Sequence, residues 1–572
     1  MADNDKPKGM RKGLTRYGDD AFALFLRKSF IKGAGYGDDA LDRTVIGIAN
    51  TGSDFNPCHG NFEDLIEQVR AGVLAAGGLP MAFPTISLHE SFAYPTSMYL
   101  RNLMAMDTEE MLKSLPMDAV VLIGGCDKTV PAQVMGALSA NIPFIQLVTG
   151  PMSTGSFRGE RVGACTDCRR LWGEFRAGKL TEDEISEAND ALVPTVGTCG
   201  VMGTASTMAL LVEVLGLAPL GSATAPAVSA DRRRIAELTG LLAVDIAKRS
   251  CHPADFLTLA SFENALRVLL AVGGSTNAII HLTAMAGRLG IKLSLDRLDK
   301  LSRQTPVIVD LKPSGTGYME DLHAAGGCVR ILSALVDCLD LQVMTVTGQT
   351  LGQELNNTDI PDWTQNIIRP SKQPIYKEGG LAVLYGNLAP QGAIIKQAAA
   401  SQHLLSHMGR AVVFENMADL AARIDRPDLD ISEDDVLVLR QIGPKGAPGM
   451  PEAGLIPIPK KLAKQGVKDM VRISDGRMSG TAAGTIVLHV APEAAVGGPL
   501  SLVRTGDQIQ LDVAARQLSM LVSDQELERR KAEEPAASTK ELRGYEKLFH
   551  DHVLQAPDGV DFDFLQAKKD NH

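Results

Sequence analysis

Cys58, Cys126 and Cys199 each stand where an apolar run breaks into a polar, glycine-rich loop: VIGIANTGSDFNPCHG, DAVVLIGGCDKTVPAQ and VGTCGVMGTASTM. None belongs to a CxxC pair, and long stretches of chain separate them. Three thiolates gathered from distant loops leave one metal corner without a protein ligand. That suits an iron–sulfur cluster acting as a Lewis acid better than one carrying electrons, which is normally held by four protein ligands. Asp127 and Lys128 follow Cys126 directly, so a hard oxygen donor lies beside a soft sulfur one. The pattern predicts two metals of different character with one substrate between them.

The elements that must position these loops are legible as alternating strands and helices. VIGIAN is a short apolar run, and NFEDLIEQVRAGVLAAGGLP after the Cys58 loop is a helix ended by glycines and proline. MAFPTISL reads as a strand delivering His89 and Glu90. The helix NLMAMDTEEMLKSL precedes the strand DAVVLIGG, which delivers Cys126, Asp127 and Lys128. VPAQVMGALSA and PFIQLVTG continue the alternation. Such a chain forms a mostly parallel sheet with right-handed crossovers, and ligands bind off the carboxyl ends of its strands. Cys58, Glu90 and the Cys126–Lys128 triplet all fall at those ends.

From about residue 150 to 340 the pattern is mainly helical, as in LTEDEISEANDALV and DRRRIAELTGLLAVDIAKRS. Short strands punctuated by glycine then recur, among them LAVLYG, AVVFEN, DVLVLRQIG and GTIVLHV, predicting a barrel or sandwich with flanking helices. The expected fold is α/β: a parallel-sheet domain over residues 1–375, then a β-barrel-like domain over 376–572. DQELERRKAEEPAASTK begins as a polar helix and becomes a linker, before a docking tail, GVDFDFLQ.

Composition excludes several classes. A chain of 572 residues exceeds one core, and a net charge of −11 argues against a nucleic-acid partner. No apolar run approaches the ~18 residues that span a bilayer, and the N-terminus lacks the apolar core of a secretory signal. Eight scattered cysteines in an acidic chain indicate a reducing, cytoplasmic setting, not a disulfide scaffold.

The strings GGCDKTVPAQ, VGTCGVMGTASTMA, GGSTNAIIHL, GPKGAPGMPEAG and ISDGRMSGTAAGT resemble the dihydroxy-acid and sugar-acid dehydratases, the family that includes 6-phosphogluconate dehydratase. They occur in order through nearly the whole chain. Glu90 in PTISLHE stands where the branched-chain enzymes tend to have Asp, and with MGTASTM and RISDGRMSGT it leans toward the pentonate (L-arabinonate, D-xylonate) branch. D-glycerate is a further substrate within that branch. The alternative is the dihydroxy-acid dehydratase of branched-chain amino-acid biosynthesis.

Removing water from a 2,3-dihydroxy acid means taking a weakly acidic C2 proton and expelling hydroxide from C3. Both are electrostatic problems, met by a dication on the developing enediolate and by a Lewis acid at the leaving oxygen. Glu90, Asp127 and Glu452 are the candidate Mg²⁺ ligands, and the resemblance implies a carbamylated Lys128 as a fourth. Ser479 in DGRMSGT is the candidate base, with Thr481 assisting; nearby cations and dipoles must stabilise its alkoxide. Without the resemblance, the usual fate of such a serine is a turn. Three cysteines can hold either a [2Fe–2S] or a [4Fe–4S] cluster, and the lack of a further cysteine beside Cys199 favours [2Fe–2S]. The resemblance also implies a homodimer or homotetramer.

Other residues read more plainly. Cys165 and Cys168 form one CxxC pair, too few thiols for a tetrahedral zinc site and a point where the chain departs from the sugar-acid pattern, so no catalytic role is expected. Cys251, Cys328 and Cys338 read as core or half-buried thiols. His59 and His89 flank the site, either touching substrate or serving structure. Ser275–Asn277 either face substrate or cap a helix. Two readings from other classes are a metal-dependent hydrolase using Glu90, Asp127 and Glu452 without a cluster, and a redox or electron-transfer protein.

Overall fold

A computed structural model of the chain describes residues 8–14, 17–360, 362–533 and 541–567. The first sheet holds β1 (Val45–Asn50), β2 (Leu79–Pro84), β3 (Ala119–Gly124) and β4 (Phe144–Val148), all parallel, in the order β2-β1-β3-β4. Strands β3 and β4 are buried along their whole length, as the near-continuous apolar runs of a sheet covered on both faces require. Strand β2 lies at the edge, where Pro80 and Pro84 are tolerated because a missing N–H interrupts no ladder. It ends at Pro84, so residues 85–90 form a loop rather than the predicted strand, and Glu90 arrives on that loop.

Helices Phe62–Ala75 and Ala230–Arg249 pack against each other on this sheet. Their backbones approach so closely that a Cβ on Gly72 would strike the Glu237 carbonyl, and one on Gly240 the Val69 carbonyl. Helices Arg101–Ser114 and Thr129–Ala140 likewise pair. A small hairpin, β5 (Gly155–Phe157) and β6 (Glu160–Val162), precedes the helix Thr166–Arg176. The long apolar run from Phe262 breaks at Val272–Thr276 into two helices, Leu259–Ala271 and Asn277–Gly287.

The second part is a closed barrel of β7 (Ala382–Gly386), β8 (Ala389–Ile395), β9 (Ser406–Phe414), β10 (Val436–Leu439), β11 (Arg472–Ser474), β12 (Ile486–Ala491), β13 (Gln508–Asp512) and β14 (Gln517–Met520). Their order around the barrel is β10-β11-β12-β8-β7-β14-β13-β9. Parallel pairs β9–β10, β10–β11 and β11–β12 sit beside antiparallel ones, so the barrel is mixed. Alternating residues such as Val436, Val438, Ile473 and Val487 fill its core. Closure removes the exposed edges that so many short strands would otherwise present. The predicted polar helix is Asp524–Glu533; much of the linker after it, residues 534–540, lies outside the described residues. The tail does dock: Phe549, Val553 and Phe562 are buried with Met98 and Ile280.

Candidate active site

Three loops bring Glu90, Asp127 and Glu452 together: those after β2, β3 and β10. One oxygen from each lies within 4.8 Å of the others. The Lys128 ammonium sits among them, fully buried, against Asp127, 3.1 Å from Glu90 and 3.7 Å from Glu452. Arg477, also buried, donates to Glu452 at 2.6 Å and to Thr96 Oγ1 at 2.6 Å, and lies 3.3 Å from Glu90. Thr96 in turn donates to Glu90 at 2.6 Å, and Ser97 does so as well.

The electrostatics follow from this packing. Burial opposes charge on Glu90, but Lys128, Arg477 and the two hydroxyls hold its carboxyl well below the usual range. Burial, with Glu90 and Asp127 nearby, pushes Glu452 upward against Arg477 and Lys128. Burial and Arg477 disfavour the Lys128 cation, yet the three carboxylates raise its proton affinity. The three carboxylates form an oxygen-only donor set that fits Mg²⁺. Loading a metal there requires Lys128 to give up its positive charge.

The cysteines form a second group. Cys58 follows β1 in the turn Pro57–His59, Cys126 follows β3, and both are buried. Their sulfurs and a ring nitrogen of His89 lie within 4.8 Å of one another, so His89 joins the thiols it was expected only to flank. Cys199 stands outside that group, at the loop before helix Thr204–Val214, and its sulfur lies 3.5 Å from that of Cys165, so the lack of a neighbouring cysteine that favoured [2Fe–2S] in the sequence does not hold in the fold. Cys58 and Cys126 thus present two soft sulfur donors to one place, a donor set that fits a thiophilic metal centre. All eight cysteines are free thiols. Among the rest, Cys328 is buried, and Cys251 and Cys338 are half-buried, as expected.

His59 has a structural role. Its Nε2 accepts the N–H groups of Gly125 and Cys126 at 3.0 Å each, while Nδ1 lies 2.7 Å from the Thr51 carbonyl. Burial drops its pKa to about 4, so the ring is neutral and fixes the Cys126 loop.

Ser479 lies on the loop between β11 and β12, two residues after Arg477, so one loop carries both the candidate base and the guanidinium that holds Glu90 and Glu452. Asp475 anchors this loop by accepting the N–H groups of Gln441, Ile442 and Ala494. Burial outweighs those bonds and raises it to about 7. On the other side the loop meets the Cys199 region: a Cβ on Gly480 would stand 2.7 Å from the Thr204 nitrogen, and one on Gly203 would stand 2.6 Å from Thr481 Cγ2. Asn277 donates to the Met478 carbonyl at 3.0 Å, and Ser275 meets Thr204 Oγ1 at 2.8 Å. The GGSTN segment thus clasps the serine loop. Ser479 Oγ lies 2.9 Å from Thr481 Oγ1.

Residues 43–354 match the family model for the dihydroxy-acid/6-phosphogluconate dehydratase N-terminal domain, and residues 366–560 match its C-terminal counterpart. The chain belongs to this dehydratase family. It is 46% identical to an L-arabinonate dehydratase of Rhizobium leguminosarum, over 97% of this chain and 96% of the relative. It is 46% identical to a 6-deoxy-6-sulfo-D-gluconate dehydratase of Pseudomonas putida, over 93% and 92%. A dihydroxy-acid dehydratase of Clostridium botulinum is 37% identical, over 93% and 97%. As a member of the dehydratase family the chain is a hydro-lyase, which sets aside the hydrolase and electron-transfer readings. No helix among the described residues is long and apolar enough to cross a membrane.

For a dehydratase, sequence reasoning missed two arginines. Arg477 lies inside the quoted string ISDGRMSGT, yet a charged loop residue ordinarily reads as solvated; here it is buried. Arg169 carries no sequence signal at all, and only its contact with Thr481, at 2.8 Å, brings it to the site.

Proposed function

We propose that this dehydratase converts a 2,3-dihydroxy sugar acid, of the L-arabinonate, D-xylonate or D-glycerate type, to the 2-keto-3-deoxy acid. The observation that carries the reading is the position of the Ser479 loop, which meets the Glu90–Asp127–Glu452 cage through Arg477 on one side and the Cys199 region on the other. Cys58, Cys126 and Cys199 would hold a [2Fe–2S] or [4Fe–4S] cluster, and Glu90, Asp127, Glu452 and carbamylated Lys128 would hold Mg²⁺; when bound, these groups would supply Lewis acidity to the leaving C3 hydroxyl and to the developing enediolate. Ser479 takes the C2 proton. Thr481 Oγ1 lies 2.9 Å from the serine oxygen, and helix Thr204–Val214, starting beside Gly480, turns its positive end toward the same loop. Arg477 holds Glu90 and Glu452 in place, and the resulting enol tautomerises to the ketone.

Higher identity to the sugar-acid relatives than to the branched-chain one supports the substrate class. The test is a keto-acid assay across C3 to C6 aldonates and 2,3-dihydroxyisovalerate. An aldonate is expected to be turned over best; preference for the branched acid over every aldonate overturns the reading. Light scattering of the same active sample is expected to show a homodimer or homotetramer.

A further inference from the structure

We propose that Arg169 is a positioning residue for the base: it fixes Thr481 as the hydrogen-bond donor to Ser479, so that Ser479 can act as an alkoxide. This rests on the reading of Ser479 as the base. The argument begins with donor counting. A guanidinium only donates hydrogen bonds, whereas a threonine hydroxyl has one proton and two lone pairs. Arg169 Nη1 donates to Thr481 Oγ1 at 2.8 Å, and Thr481 Oγ1 lies 2.9 Å from Ser479 Oγ. With one Thr481 lone pair engaged by a cation, the hydroxyl is polarised, and once Ser479 is deprotonated its oxygen can only accept, so the Thr481 proton turns to it. Ser479 then accepts a charge-assisted bond, which favours its deprotonated form. During turnover the C2 proton moves to Ser479 Oγ, while Thr481 and Arg169 keep their own protons throughout.

Three further observations support the assignment. Thr166, at the start of the same helix, donates to the Thr481 carbonyl at 2.8 Å, so one helical turn grips Thr481 by both backbone and side chain. The neighbouring Arg170 and Arg176 are neutralised, by Asp167 and Asp425 at 3.1 and 2.7 Å respectively. Arg169 forms no ion pair among the described residues; its other bond, at 3.2 Å, goes to the Cys165 carbonyl. Its charge is therefore not cancelled by a carboxylate before it reaches Thr481. The same arrangement occurs in the carboxylate cage, where Arg477 donates to Thr96 Oγ1 and Thr96 donates to Glu90. There the accepting oxygen is an anion whose charge is favoured.

The test is a double-mutant cycle on the metal-loaded enzyme, reading kcat, KM, iron content and exchange of the substrate C2 hydrogen with deuterated water. Arg169→Met is expected to lower kcat and C2 exchange roughly ten- to a hundredfold, the worth of one hydrogen bond to a charged group. KM and iron content should stay within about twofold, and Arg169→Lys should restore part of the rate. In a Thr481→Val background, Arg169→Met should cost almost nothing more, because the path through the hydroxyl is already cut. Full additivity of the two changes, or an Arg169→Met enzyme with unchanged kcat, overturns the inference. Ser479→Ala separates the two levels. If it abolishes C2 exchange while Arg169→Met is silent, the inference alone is wrong; if it leaves exchange intact, the base itself has been misassigned.

Discussion

Cys165 and Cys199 present their sulfurs to each other at 3.5 Å, so contact alone does not say which of the two belongs to a metal centre. Cys199 leads into helix Thr204–Val214, whose start abuts the serine loop, and it lies outside the CxxC pair that Cys165 forms with Cys168. On this basis Cys199→Ser should lose most of the iron and the activity, whereas Cys165→Ser should retain iron, measured by metal analysis and the visible spectrum. Lys396 is a second informative residue. It is 1% exposed at the end of β8, and its Nζ meets the Gly480 carbonyl at 3.4 Å. Burial drops its pKa to about 7. Between pH 7 and its ordinary value, the unfolded chain therefore carries a proton there that the folded chain does not. Stability contributed by this residue rises with pH across that window, by about 1.4 kcal/mol per unit at most. Thermal unfolding from pH 7 to 10 should show this rise, and Lys396→Met should flatten it.

At the scale of elements, the site depends on how closely the serine loop lies on two helix starts. Gly480 has no side chain because a Cβ would stand 2.7 Å from both Ser275 Oγ and the Thr204 nitrogen. Gly480→Ala should push the loop away from helix Thr204–Val214 and separate Ser479 from its supporting dipole. The expected outcome is a fall in kcat of about a hundredfold or more, since misplacement by an ångström is enough for that. Circular dichroism and iron content should be unchanged. The strand ends were expected to carry the chemistry, and β1 and β3 do deliver Cys58 and Cys126. Glu90 differs because β2 stops at Pro84; the loop beyond is held by Asp107, which accepts the Ile86 N–H at 2.8 Å.

Across the whole molecule, the C-terminal tail ties the two halves together. Asp561 and Arg288 form a fully buried ion pair at 2.8 Å, and Arg101 donates to the Gly559 and Val560 carbonyls at 2.9 Å each. On the barrel side Gln555 donates to Glu493 at 2.7 Å, and Glu493 accepts the Lys445 and Gly446 N–H groups of the segment leading to Glu452. The tail thus braces both walls of the carboxylate cage. Asp561→Asn leaves the buried Arg288 guanidinium with only the more distant Glu109 carboxylate, 3.8 Å away, and should cost about 3 kcal/mol. A lowered unfolding temperature is the expected reading, with residual activity at low temperature.

The strand–helix alternation, the short glycine-bounded strands of the barrel, the cysteine loops and the docking tail were all legible in the sequence. These features depend on local periodicity and on residue types at element ends, which neighbouring positions encode directly. The motif strings likewise carried the family and the candidates Glu90, Asp127, Lys128, Glu452, Ser479 and Thr481. Tertiary structure alone decided the partners: Arg477 with Glu90 across 387 positions, Arg169 with Thr481 across 312, and Cys165 with Cys199 from loops flanking a helical pair. A charged loop residue has the same local signature whether it ends in water or in a buried cage. Its desolvation is compensated by groups far away in the chain, so only the folded molecule determines which it becomes.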